Sequence, residues 1–149
     1  MKVSKRVTYG VMAVVDLAIN AAELPIQARA IAKRQGIPIR FLEQVLHALK
    51  NADLVESHRG AQGGYLLSRE SSRISLADIL EALEGPLFHR TALQLGTRDR
   101  LPAKPDLLLS EVWEQVQQAE RKVLEGITVE QLAIQQRTFE AQRNPMYHI

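Results

Sequence analysis

Residues 34–67 read RQGIPIRFLEQVLHALKNADLVESHRGAQGGYLL. Leu42, Val45, Leu46 and Leu49 recur at i, i+3, i+4 and i+7, the spacing of one helix face, so that face is expected in a core. Arg40, Glu43, Gln44, His47 and Asn51 fall on the opposite face. A helix exposing that mix of donors and acceptors can read base edges in a major groove. Pro38 suits a first helical turn, which places this helix at 38–51. Gly36 ends a shorter helix over 26–35, whose small apolar face is Ala28, Ile31 and Ala32. After Asn51, residues 54–57 and 64–67 read as paired strands joined by His58-Arg59-Gly60-Ala61-Gln62-Gly63. Helix, turn, helix and hairpin in that order make a winged helix. Its glycines let the tip bend without steric cost, and a charged tip at Arg59 suits a neighbouring minor groove. Taken alone, the loop reads equally as a solvated hairpin.

Towards the N-terminus, residues 3–22 form a helix that is apolar nearly all round, through Val7, Val11, Met12, Val14, Val15, Leu17, Ala18 and Ile19. Such a helix is buried inside a domain or between subunits. Its polar start, Ser4, Lys5, Arg6, Thr8 and Tyr9, either holds a phosphate or is the ordinary polarity of a helix end.

Towards the C-terminus, Ser71 and Ser72 read as a short linker. Ser75 and Asp78 are spaced as a capping box, with Ile74 and Ile79 as a hydrophobic staple, for a helix over 76–83 that stops at Gly85-Pro86. Residues 86–106 are the least patterned stretch and are expected to be a loop. From Leu107 a long helix carries Leu109, Val112, Val116, Ala119, Val123 and Ile127 in a nearly heptad stripe, with Trp113 beside it. That stripe packs on its own domain or on a partner's equivalent helix. Winged-helix proteins that bind two half-sites as dimers favour the partner. Thr128 and Gln131 form a second capping box, with Ile127 and Leu132 as staple, for a last helix to residue 142. The expected organisation is a winged helix-turn-helix head at 1–85, a loop at 86–106, dimerisation helices at 107–142 and a tail at 143–149. The fold class is mainly α with a small β-hairpin wing.

Bulk properties narrow the function. At 149 residues, 46% apolar and 24% charged, the chain suits one soluble domain, or a small domain with a helical appendage. No apolar run approaches the ~20 residues of a membrane helix, and no signal-type core follows the basic start, so a cytoplasmic protein without membrane contact is expected. The net charge of +2 is uneven: 11 Lys and Arg against 6 Asp and Glu over residues 1–73, then 8 against 11 over 74–149. A basic head on an acidic second half suits a DNA-binding half with a separate interaction half. There is no cysteine, which removes disulfides, thiol nucleophiles and thiolate metal sites. The four histidines, His47, His58, His89 and His148, lie in separate segments with no acid or nucleophile in a recognisable arrangement. No catalytic residue is therefore expected, and an enzyme is disfavoured.

With these segments in place, the chain resembles the Rrf-two family of bacterial winged-helix transcription regulators. The matching residues begin at Ser4-Lys5, Tyr9 and Asp16-Leu17-Ala18, and continue through Ile31-Ala32-Lys33-Arg34-Gln35-Gly36-Ile37 and Phe41-Leu42-Glu43-Gln44. Leu54-Val55, Arg59-Gly60, Gly63-Gly64-Tyr65, Ile74-Ser75-Leu76-Ala77-Asp78-Ile79, Val112-Trp113 and Ile127-Thr128 complete them. The resemblance implies a homodimer crossed through the long helix, with each winged helix on one half-site of double-stranded DNA. It implies that Glu43 and Gln44 face bases, that Arg59 enters the minor groove, and that Lys5, Tyr9 and Arg40 contact the backbone. Phe41, His47, Gly60, Gly63 and Gly64 complete the expected DNA-facing set. Many relatives hold an iron–sulfur cluster on three cysteines in the interval that is 86–106 here, and this chain has none there. His89, Asp99 and Asp106 are scattered oxygen and nitrogen donors, so neither metal nor cofactor is expected. The expectation is a cluster-free regulator, a repressor, whose signal is a small molecule, a partner protein or its own abundance. The alternative is a module that docks a partner such as a metabolic enzyme.

Overall fold

The computed structural model describes residues 3–20, 23–85 and 104–143. The expected loop lies outside them up to residue 103, as does the tail from residue 144, and with them His89, Asp99 and the Asp106 side chain. The elements are α1 (Lys5–Asn20), α2 (Ala28–Gln35), α3 (Ile39–Asn51), β1 (Val55–His58), β2 (Gly64–Leu67), a 3-10 turn at Ser71–Arg73, α4 (Leu76–Glu84), α5 (Lys104–Glu125) and α6 (Val129–Arg143). The fold is mainly α with one antiparallel hairpin, in which Val55 pairs with Leu67 and His58 with Gly64.

Helix α1 is the axle of the packing, in contact with α2, α3, α4 and α6. Its nearly all-round apolar sequence is explained by those neighbours on several sides. Val14 and Leu17 are fully buried with Ile31 of α2, Leu42, Val45, Leu46 and Leu49 of α3, Leu54, and Ile74 and Ile79 around α4. Each such side chain stabilises the fold by roughly 1.5–3 kcal/mol. Gly10 lies against α4: a Cβ there would stand 2.3 Å from Leu83 Cδ1. Glycine inside a helix costs about 1 kcal/mol of propensity, and here that permits the close crossing.

The ends of the elements follow local chemistry. Gly36 closes α2 at φ 66°, and its N–H donates to the Ala32 carbonyl. Asp53 takes φ 58° after α3, a left-handed conformation that a short polar side chain tolerates. Both capping boxes form. Ser75 and Asp78 exchange bonds of 2.9 and 3.1 Å, and Thr128 and Gln131 exchange two of 3.2 Å.

Besides the start of α1 (Lys5, not residue 3) and the bounds of β1 (Val55–His58, not 54–57), three features differ from the sequence reading. Ser71 and Ser72 lie in a 3-10 turn rather than a linker. Helix α2 starts at Ala28, because Ile26 pairs with Tyr65 across a one-residue bridge instead of joining the helix. Helix α5 begins at Lys104, three residues before Leu107, with Pro105 in a first turn whose N–H groups need no helical partner.

The last helix, grouped by sequence with the dimerisation elements, packs on α1. Val129 and Ala133 are buried, Leu124 at the end of α5 joins the same core, and Arg137 Nη2 donates to the Ile19 carbonyl at 3.2 Å. The joint between α5 and α6 is fastened to the start of α4. Leu76 N–H donates to the Ile127 carbonyl at 2.8 Å, and Val129 N–H to the Ile74 carbonyl at 2.9 Å.

Candidate nucleic-acid interface

The second helix of the helix-turn-helix sorts its residues as the spacing predicts. Leu42, Val45, Leu46 and Leu49 are fully buried, while Arg40, Glu43, Gln44, His47, Lys50 and Asn51 are exposed. None of Arg40, Glu43, Gln44 and His47 has a side-chain hydrogen bond or ion pair among the described residues. Their donors and acceptors therefore face water, free to exchange it for base edges or phosphate oxygens.

Lys5 opens α1 in an exposed position, and Tyr9 lies one turn further on. The Tyr9 ring meets Phe41 edge to face, at 5.2 Å between centroids and 81° between planes. This pair joins the start of α1 to the start of α3, so Lys5 and Arg40 belong to neighbouring helix ends. Tyr9 and Phe41 are both half-buried against the core, so much of what these two rings do is packing.

In the wing, Arg59, Gly60, Ala61 and Gln62 are exposed at the tip. His58 Nε2 lies 3.3 Å from Glu56 Oε1 at the end of β1. Gly60 takes φ 111°, which suits glycine. Gly63 is buried, and a Cβ there would stand 2.3 Å from the His58 carbonyl oxygen. Gly64 is half-buried beside Ile26. Within the expected DNA-facing set, Gly63 and Gly64 thus have packing reasons to be glycine.

Sequence reasoning missed one buried network. Asp16 is 1% exposed and accepts hydrogen bonds from Arg34 Nε (3.0 Å), Arg34 Nη2 (2.7 Å) and Gln35 Nε2 (2.9 Å). The hydrogen bond and charge of Asp16 raise the Arg34 guanidinium pKa above its ordinary value, against a smaller opposing effect of burial. The network clamps the end of α2 to α1, and α2 leads directly through Gly36 into α3. The matching signal was a lone aspartate within the apolar run of α1. Arg29 and Lys33, exposed on α2, lie outside the expected DNA-facing set, although the first helix of such a motif crosses the phosphate backbone.

Helix α5 presents the opposite chemistry. Leu109, Val112, Trp113, Val116 and Val123 are between 43% and 62% exposed, Leu107 and Leu108 are also exposed, and so is Ala119. Ile127 is half-buried at the joint. The end of the helix is held to α4 by Arg121, which lies 3.6 Å from Glu81 and 2.6 Å from Glu125.

A helix-turn-helix with an unpaired polar face on its second helix, followed by a glycine-tipped hairpin, defines the head of a winged-helix DNA-binding protein. Residues 3–135 match the family model Rrf2, described as an iron-dependent transcriptional regulator, and the chain belongs to that family, named Rrf-two above. The HTH-type transcriptional regulator CymR of Bacillus subtilis is 37% identical over 133 residues, which cover 89% of this chain and 90% of that protein. The solved structure of CymR, the global cysteine regulator of B. subtilis, aligns with a TM-score of 0.72 at 33% identity, covering 89% of this chain and 96% of the other. That of T. potens IscR aligns at 0.69 and 36% identity, covering 89% and 85%. The chain is a DNA-binding transcription regulator, not an enzyme.

The family description raises iron. Clusters are held by cysteine thiolates, and none of the 149 residues is cysteine, so the donor set does not fit an iron–sulfur cluster. Among the described residues, no three His, Asp or Glu side chains are grouped to hold a metal ion.

Proposed function

We propose that this regulator acts in the cytoplasm as a homodimer on a pseudo-palindromic operator, and represses by occupying it. The observation that carries the reading is the apolar stripe of α5, in which Leu109, Val112, Trp113, Val116 and Val123 are between 43% and 62% exposed. A second copy of α5 would cover that stripe, and the two-fold axis so created presents two heads to two half-sites. In each head, Glu43 and Gln44 face bases, with His47 alongside. Arg59 enters the minor groove, and Lys5, Arg40 and the Tyr9–Phe41 pair set the helix ends against the backbone. Without cluster ligands, the signal is a small molecule, a partner protein or the regulator's own abundance.

Chromatin capture with the tagged chain is expected to enrich sites built as inverted repeats, with analytical ultracentrifugation giving a dimer. Enrichment of no site would sink the operator reading, and a monomer at micromolar concentration would sink the dimer. Arg59→Ala is expected to weaken operator binding and lower the slope of log affinity against log salt by about one.

A further inference from the structure

The wing is tied to the helix-turn-helix by backbone as well as by sequence order. Ile26 N–H donates to the Tyr65 carbonyl at 3.0 Å, and Tyr65 N–H donates to the Ile26 carbonyl at 2.8 Å. Ile26 thus forms a one-residue third strand on the open side of β2, and Gln27, the next residue, is the N-cap of α2. The preceding residue of β2, Gly64, makes this approach possible. A Cβ on Gly64 would stand 2.4 Å from both the carbonyl carbon and the oxygen of Ile26, and 2.8 Å from Gln27 N. All three are backbone atoms, which cannot swing aside as a side chain does. Gly64 also has φ 151°, a conformation that side chains rarely adopt. Across the hairpin it pairs with His58, the residue immediately before Arg59.

We propose that Gly64 is a positioning residue for DNA binding: by admitting the backbone of Ile26, it fixes the wing, and Arg59 at its tip, relative to α2 and α3. The inference rests on the proposed role of the wing. It reassigns Gly64 from a DNA contact to a residue that acts through Arg59. A side chain at 64 separates β2 from Ile26 and breaks the paired bonds that tie the wing to the start of α2. A hairpin loosened at that edge loses more conformational entropy when it binds than a pre-positioned wing does.

The test uses the full chain and has two readouts. Because the chain has no cysteine, Lys50→Cys and Gln62→Cys give unique spin-label sites on α3 and at the wing tip. Gly64→Ala is expected to shift or broaden the label-to-label distance distribution. It is also expected to weaken operator binding on the order of ten-fold, about as much as Arg59→Ala. The double variant is expected to bind no worse than either single one, because the two act through one contact. An unchanged distance distribution overturns the proposal, as do fully additive losses. If Arg59→Ala alone leaves binding intact, the minor-groove role fails, and the distance measurement still decides whether Gly64 positions the wing. Should Gly64→Ala not fold, Ile26→Pro, which removes the N–H given to Tyr65, takes its place with the same outcomes.

Discussion

Helices α3 and α5 are both amphipathic, and they turn opposite faces to water. Helix α3 buries Leu42, Val45, Leu46 and Leu49 completely and exposes Arg40, Glu43, Gln44 and His47. Helix α5 exposes Val112, Trp113 and Val116 and, among its described residues, buries Leu124 alone. The polar face of α3 is stable in water, so a single chain can carry it ready for DNA. The apolar stripe of α5 forfeits roughly 25 cal/mol for each Å² left wet, which another surface would recover. One helix is finished by its own chain, and the other awaits company.

Breaking the stripe is the strongest challenge to this contrast. Val116→Asp is expected to give a monomer by ultracentrifugation. Affinity for a two-half-site operator should fall about a thousandfold, roughly 4 kcal/mol, because the second half-site no longer binds within the same molecule. Val116 is 43% exposed in the single chain, so the head should unfold at nearly the same urea concentration. A large loss of head stability would mean that the stripe serves its own core, and the contrast would collapse.

Leu46→Ala is expected to behave in the reverse way. It leaves a cavity in the fully buried face of α3 and should cost about 3 kcal/mol in urea unfolding. Dimerisation by the folded fraction should survive. Asp16→Ala comes next, at about 2 kcal/mol. Removing one partner of a buried ion pair costs more when the other stays buried, but Arg34 is 42% exposed and can turn to water. A variant as stable as the parent would show that α2 is held without the clamp.

These residues also mark how far sequence carries. Both faces of α3 were legible because helical periodicity is a local property, and leucines and valines at that spacing over two turns line up only on a helix with one buried face. The capping boxes at Ser75 and Thr128 were legible for the same reason, since donor and acceptor lie three residues apart. The Asp16–Arg34 clamp was not, because it joins residues 18 apart through the crossing of two helices. The Ile26–Tyr65 bridge was hidden likewise, by a hairpin folding back on a segment that reads as a helix start. The docking of α6 on α1 was not legible because a mostly polar helix turns only a short apolar edge, Val129, Leu132 and Ala133, inward, and its Arg137 bond to Ile19 joins residues 118 apart. The stripe of α5 was visible at once, but spacing cannot say which surface a stripe meets.

The smallest effect tests the joint where the two regions meet. Ser75 and Thr128 cap α4 and α6, and their segments pair antiparallel, so each cap sits on the strand-like backbone that carries the other. The Ser75 bonds are part-buried and 2.9–3.1 Å long, whereas those of Thr128 are exposed and 3.2 Å. Ser75→Ala is therefore expected to cost about 1 kcal/mol, the ordinary loss of an N-cap. Thr128→Ala should cost about half as much, since water replaces its bonds more readily. Helix α6 packs on α1 and only its start is fastened to α4, so both losses should appear in the single unfolding transition of the head. A separate, earlier transition in Thr128→Ala would instead place α6 with α5 as an independent unit. It would then support the division of the chain that its sequence suggests.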